Sequence, residues 1–328
     1  MTQTLLKAEN LCTWFDVRRG FFSKPIYVKA VDNVNFELKE EEAISLVGES
    51  GSGKTTLGKT LLRLYRPTSG RIIYNGTDIT NVPYNRLRWY RREAQIIYQD
   101  PFSSIAPFFT IYKTLEEPLI INKIGDSNER SEMIYRALEA VKLTPVEVFA
   151  SKYPHMLSGG QRQRVVIARA LIMQPKYIVA DEPVTMLDAS VRVEILYLLR
   201  ELQQKYKISF IYITHDLATS RYFSEKVAIM YAGRIVESGD VDDVIQKPLH
   251  PYTQALLEGI PDPDPENRKV LRKVPTGEPP SLIYPPPGCR FHPRCPYAMD
   301  VCKEKVPELR ELKNGHAAAC HYAEVFLK

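Results

Sequence analysis

The sequence predicts an α/β domain built on a largely parallel sheet, with a small module appended near its C-terminus. Three observations carry that expectation. Short apolar runs alternate with longer stretches of helical periodicity, a glycine-rich loop stands between one such run and a helical stretch, and past Pro261 the chain turns proline-rich before four clustered cysteines.

The elements follow in order. "VKAVDNVNFELK" and "EAISLVG" read as strands, and the second runs into a glycine-rich turn that opens the helix "GKTTLGKTLLRLY". "GRIIYNG" is a further strand, after which residues from about 100 to 169 are mostly helical in pattern. In "SEMIYRALEAVKL", Ile134, Ala137, Leu138 and Val141 fall on one helical face. "YIVADEP", "ISFIYITH" and "KVAIMYAG" are near-continuous apolar runs, as expected of strands covered on both faces. Between the first two, Ile195, Leu198, Leu202 and Tyr206 form an apolar helical stripe that reads as core packing. Residues 1–260 are expected to form the main domain. Nine prolines between Pro261 and Gly288 resist helix and sheet alike, so 261–288 reads as a semi-extended linker and 289–328 as a separate small module.

Composition sets limits on function. A chain of 328 residues has ample material for a core. Its net charge of +5 is spread among 44 Lys and Arg and 39 Asp and Glu with no one-sign block, which argues only weakly for a nucleic-acid surface and reads as a solvated mixed surface. No run approaches the ~18 apolar residues of a spanning helix, and "MTQTLLKAEN" lacks the pattern of a secretory leader. A cytosolic location is therefore expected. In that reducing setting clustered thiols point to a metal or metal cluster more than to disulfides.

Two motifs carry phosphate chemistry. "GESGSGKT" (Gly48, Glu49, Ser50, Gly51, Ser52, Gly53, Lys54, Thr55) fits the P-loop pattern and follows a strand and precedes a helix, as its mechanism requires. The glycines let backbone N–H groups converge on phosphate oxygens, the helix N-terminus adds a favourable dipole, Lys54 brings a charge to the β and γ phosphates, and Thr55 serves Mg²⁺. In "YIVADEP", four apolar residues deliver Asp181 and Glu182 to the C-terminal end of a buried strand, where open α/β sheets place their reactive groups. Asp181 suits the Mg²⁺ shell and Glu182 the polarisation of an attacking water.

A third motif, "LSGGQRQR", opens a helix with Ser158 and two glycines whose N–H groups can face an anion. Together with Gln99 in "IIYQDP", "DEPVTMLDAS" and His215 in "YITHD", it makes the chain resemble the ATP-binding subunits of ABC transporters over about residues 5 to 258. The resemblance implies a P-loop NTPase fold of ABC type, with an N-terminal antiparallel β part and a helical subdomain. It implies a head-to-tail dimer in which each ATP lies between the P-loop of one subunit and the "LSGGQ" of the other. By position, Gly48 to Thr55 and Thr56 would bind phosphate and metal, and Gln99 would contact Mg²⁺ or the water. Asp181 would serve the metal, Glu182 would be the general base, worth ~10²–10⁴-fold in rate, and His215 would bond the γ-phosphate. Ser158, Gly159, Gly160 and Gln161 would serve the partner's ATP, Asp188 lies in the loop between subunits, and Phe15 matches the aromatic that stacks on adenine, with Trp14 as its competitor. Thr185 stands where many members have serine, and Met186 where alanine is common.

"HPYTQALLEGIPDPDP" and "GCRFHPRCPYAMDVC" extend the resemblance to the oligopeptide and dipeptide importers. In that subfamily the cysteines, here Cys289, Cys295, Cys302 and Cys320, are associated with a [4Fe-4S] cluster. Their chemistry alone suits Fe–S or tetrahedral Zn²⁺ about equally. The implied function is ATP hydrolysis coupled to import, at the cytoplasmic membrane face. The implied partners are a second, related ATPase chain, two permease subunits and an external solute-binding protein. Peptides are the implied cargo and oligosaccharides the alternative. A nucleic-acid- or ribosome-linked ATPase is the rival of another class, but the twin ATPase domains or long inserted coiled coil usual in such proteins are not seen.

Overall fold

The computed structural model describes residues 3–17, 25–259 and 277–327. Most of the expected linker lies outside the described residues. In chain order the elements begin with β1 (Thr4–Asp16), β2 (Tyr27–Lys39), β3 (Ala43–Val47), α1 (Lys54–Leu61), β4 (Ser69–Tyr74), β5 (Thr77–Asp78), α2 (Arg88–Glu93) and β6 (Ala94–Ile97). There follow α3 (Ile111–Ile121), α4 (Ser127–Ala140), α5 (Val146–Ser151), α6 (Gly159–Leu171), β7 (Tyr177–Asp181), α7 (Ala189–Tyr206), β8 (Ser209–Thr214) and α8 (Leu217–Phe223). The chain ends with β9 (Lys226–Tyr231), β10 (Arg234–Asp240), α9 (Val241–Gln246), α10 (Pro251–Glu258), α11 (Asp300–Glu304), β11 (Arg310–Lys313), β12 (His316–Ala318) and α12 (Ala323–Phe326).

Two compact units result. The first is built on Lys39–Glu42 and Val82–Tyr212, and the second on Thr4–Leu38, Ala43–Asn81 and the chain from Ile213 onward. In the first unit β7 lies between β8 and β6, and β6 runs parallel to β7 in the register Ile97↔Ala180. All five residues of β7 are buried, as a strand covered on both faces requires. Helices α3 to α6 occupy the stretch read as helical. The face of α4 read from the sequence is the buried one, since Ile134, Ala137, Leu138 and Val141 are each at most 5% exposed. Truncating such a side chain as Leu138 to alanine would cost about 2–5 kcal/mol. The α7 stripe departs from expectation at its end. Ile195, Leu198 and Leu202 are buried, but Tyr206 is 42% exposed at the last helical position, just before Lys207 turns the chain with φ 54°.

The second unit holds a four-stranded antiparallel sheet in the order β2-β1-β4-β5, the expected N-terminal β part. Beside it stands a second run of strands. There β3 pairs parallel with β9, β9 antiparallel with β10, and β10 antiparallel with β12, which in turn pairs with β11. The cysteine-bearing segment is thus joined to the sheet through Glu237↔Ala318 and Ser238↔Ala317. The join is anchored by Glu237, fully buried, whose carboxylate accepts the N–H groups of Leu249 (2.7 Å) and His250 (2.9 Å) and faces His316 Nε2 at 2.7 Å. A buried carboxylate is tolerated only when its oxygens are satisfied in this way. Phe291 closes the same core against Tyr231 and Tyr252, at ring separations of 5.2 and 5.5 Å.

Candidate functional site

The glycine loop is shaped by its neighbours. The parallel register Val47↔Ile229 sets the next residue, Gly48, against the chain at Met230, where a Cβ would lie 2.1 Å from the Met230 carbonyl oxygen. Gly53 has φ 105°, and a Cβ there would lie 2.1 Å from the carbonyl oxygen of Ala30, so no other residue fits. Gly53 also offers no side chain to cap α1, which leaves Lys54, Thr55 and Thr56 as the first turn of a helix whose positive dipole end opens on the loop. Lys54 is only 4% exposed, and its ammonium donates to the carbonyls of Gly48 (2.7 Å) and Glu49 (2.9 Å). Ser52 is buried, whereas Ser50, Gly51 and Thr55 are exposed.

The acidic residues belong to the other unit. Asp181 ends β7 and is 5% exposed. Because β6 and β7 are parallel with Ile97 beside Ala180, two residues further along each strand the pairing brings Gln99 beside Glu182. Gln99 Nε2 donates to Glu182 Oε2 at 3.4 Å. Glu182 is held in the left-handed region at φ 47°, a conformation costing roughly 1–2 kcal/mol for a residue with a Cβ. Its carboxylate also accepts the hydroxyl of Thr185 at 3.0 Å. The sequence marked Thr185 only as a departure from the family pattern. Its one sequence signal is a hydroxyl residue three positions after the glutamate.

Ser158 caps α6, and Gln161 returns the bond. The Gln161 N–H donates to Ser158 Oγ (3.3 Å), while the Ser158 N–H donates to Gln161 Oε1 (3.1 Å). That reciprocal cap satisfies two orphan donors and fixes the start of the helix. Asp188 stands at the N-cap position of α7 without a side-chain cap and is exposed. His215 follows β8 directly, is exposed, and precedes Asp216, which caps α8 through the Ala218 N–H at 2.9 Å.

Phe15 and Trp14 differ in setting. Phe15 is 36% exposed and packs edge-on against Tyr65 at 5.2 Å, whereas Trp14 is half-buried beneath the Lys29 ammonium, 4.9 Å from the ring centroid.

The four cysteines are unpaired thiols. Cys289 and Cys302 are tied through the backbone, the N–H of Cys289 donating to the Cys302 carbonyl at 2.8 Å. Burial pushes the Cys289 thiol up to about 11 and the Cys320 thiol up to about 12, and raises that of Cys295, with neighbouring cysteines adding to the shift. Backbone N–H groups oppose it. The sulfur of Cys289 receives Phe291 and His292, that of Cys295 receives Tyr297, and that of Cys320 receives Tyr322 at 3.3 Å. Among the described residues, no three His, Cys, Asp or Glu side chains gather to hold a single metal ion. No described helix is long and apolar enough to cross a membrane.

Comparison with known proteins agrees with this geometry. A family described as ABC transporter matches residues 31–185, and one described as oligopeptide/dipeptide transporter, C-terminal region, matches residues 236–302. The chain is 42% identical over 322 residues to the oligopeptide transport ATP-binding protein AppF of Bacillus subtilis, covering 97% of each. It is 41% identical over 327 residues to the di/tripeptide transport ATP-binding protein DppF of Pseudomonas aeruginosa, covering 99% of each. Among solved structures, a dimeric post-hydrolysis state of the ATP-binding cassette MJ0796 bound to ADP and Pi is 30% identical. Its TM-score is 0.63, over 72% of this chain and 99% of that one. The chain therefore belongs to the ATP-binding subunits of ABC transporters, of the oligopeptide/dipeptide importer type.

Proposed function

We propose that this protein is the ATP-hydrolysing motor of a peptide importer, working at the cytoplasmic face of the membrane. It would act with permease subunits, an external solute-binding protein and a second, related ATPase chain. The observation that carries the reading is Lys54, sunk among the carbonyls of a loop in which Gly48 and Gly53 admit no Cβ. An ammonium so held can be drawn out by a polyphosphate that replaces those carbonyls as its acceptor. Thr55, Asp181 and Gln99 are the residues that would hold Mg²⁺, which supplies charge neutralisation between the phosphates when bound. Glu182 takes the proton of the attacking water, and its two hydrogen bonds from Thr185 and Gln99 fix where that carboxylate points. His215 is assigned to the γ-phosphate, and Phe15, the more exposed of the two aromatics, to adenine. Ser158 to Gln161 serve the nucleotide of the partner ATPase, with Asp188 beside them in the loop that answers it. The cargo class follows the relatives, which are named for peptides.

The four cysteines are assigned to a [4Fe-4S] cluster on the strength of the resemblance to the oligopeptide and dipeptide importers. Backbone N–H groups directed at three sulfurs favour thiolates, whereas burial without a cation disfavours them, so the thiolate form needs a bound cationic centre. A [4Fe-4S] cubane would take one cysteine at each of its four corners, and tetrahedral zinc is the alternative for the same four residues.

The test uses two variants of the assembled transporter. Glu182→Gln should retain ATP binding and lower hydrolysis by ~10²–10⁴-fold, and Lys54→Ala should lose binding. Hydrolysis by Glu182→Gln at the wild-type rate would remove Glu182 from its role.

A further inference from the structure

The second residue of the phosphate loop, Glu49, places a carboxylate inside a loop meant to receive a polyanion. Its charge is met from the far end of the sequence. Arg294, in the cysteine-bearing segment and immediately before Cys295, reaches both carboxylate oxygens. Nη1 lies 3.1 Å from Oε2 and 3.3 Å from Oε1, and Nη2 lies 3.3 Å from Oε1. The guanidinium is itself fixed, with Nη1 donating to the Tyr231 hydroxyl at 3.4 Å and the planar group lying 5.8 Å from the Phe291 ring centroid. Its side chain is 10% exposed and that of Glu49 30% exposed, so solvent screens the pair only in part. The loop is gripped a second time at the same residue. The Glu49 N–H donates to the Tyr252 hydroxyl at 2.8 Å, while the Glu49 carbonyl accepts from Lys54 at 2.9 Å. Burial holds the Tyr252 phenol neutral well beyond its ordinary range, so it remains a fixed partner.

From this arrangement we infer that Arg294 is a positioning residue for ATP binding. It cancels the charge of Glu49 and braces the phosphate loop, so that the cysteine-bearing segment sets the affinity of the loop for polyphosphate. This rests on the reading that Gly48 to Thr55 hold the nucleotide phosphates. Without Arg294, the Glu49 carboxylate faces the same phosphates as an unopposed like charge, and the loop loses one of its side-chain ties. The effect belongs to ground-state nucleotide binding, so it enters KM and leaves kcat unchanged. A role confined to folding would not divide the two.

The experiment is a double-mutant cycle on the full-length chain. MgATP affinity is measured by calorimetry, and KM and kcat are measured in the assembled transporter. Arg294→Ala should weaken ATP binding about tenfold and raise KM to match, Arg294→Lys should lose less, and Glu49→Gln introduced into Arg294→Ala should recover most of the loss. Lys54→Ala runs beside them as the control for the site. If Lys54→Ala abolishes binding while Arg294→Ala stays within twofold of wild type, the inference fails and the site reading stands. A loss that Glu49→Gln does not reverse also overturns it, since charge cancellation would then play no part. If Lys54→Ala binds as wild type does, the site reading itself falls and takes the inference with it.

Discussion

The hydroxyl of Thr185 donates to Glu182 Oε2 at 3.0 Å, three residues along the same turn. Together with Gln99, which donates to the same oxygen at 3.4 Å, it fixes a carboxylate whose own backbone sits at φ 47°. Hydrogen bonds to charged groups are worth about 1.5–3 kcal/mol. Replacing Thr185 by valine, which keeps the shape and removes the donor, should therefore lower kcat about tenfold or more. ATP affinity should stay within about twofold of wild type, and Thr185→Ser should retain most of the rate. Steady-state hydrolysis with a parallel binding titration checks this. An equal rate in the valine variant would show that the bond does not hold the base in its working position.

His250 supplies a pH dependence of stability. Its ring is 1% exposed, and burial depresses its pKa from 6.5 to about 3. Nδ1 accepts the Tyr252 N–H at 3.0 Å, which needs the neutral ring, and the backbone N–H of the same residue is bound by Glu237. In the fold the ring stays neutral down to about pH 3, while in the unfolded chain it takes a proton below about pH 6.5. The unfolded state thus binds the extra proton in that window. The contribution is complete above pH 6.5 and is lost as the pH falls toward 3, at a slope approaching about 1.4 kcal/mol per pH unit. Denaturant unfolding of wild type and His250→Asn, which keeps a capping acceptor, should differ in slope between pH 6.5 and 4.5. Parallel slopes would mean that the ring is solvated in the fold.

Protein purified without oxygen should carry about four irons and four acid-labile sulfides per chain, with absorption near ~400 nm. Removing the cluster should leave thiols that, at neutral pH, react slowly with alkylating reagents, because burial raises those of Cys289, Cys295 and Cys320. One zinc and no sulfide would replace the cluster by a structural ion.

Much of this was legible because it is local. Lys54, Asp181, Glu182 and Ser158 lie in short motifs whose spacing already encodes a strand end, a tight turn or a helix start. The apolar runs of β7, β8 and β9 announced their burial for the same reason. The partnership of Gln99 with Glu182 could not be read, because it depends on the register Ile97↔Ala180 between strand residues 83 positions apart. Arg294 was harder still, since its partner is 245 positions away and nothing in "HPRCP" marks a guanidinium aimed at a phosphate loop. Tyr206 was misjudged for a simpler reason. Helical periodicity continues to the last turn, but the packing surface beneath it ends earlier.

The pairing of β12 with β10 has a consequence for solubility. A strand with one side unpaired presents a row of N–H and C=O groups that can template another chain. In β10 that side is occupied by Ala317 and Ala318 of the tail, so the segment that carries the thiols covers the β10 edge and moves the border out to the short, charged β11. A chain cut before residue 277 would keep Lys54, Asp181, Glu182 and Ser158, yet it would lose Arg294 and expose the β10 edge. Its expected failure is self-association through β10, added to the weaker nucleotide binding that follows from the loss of Arg294.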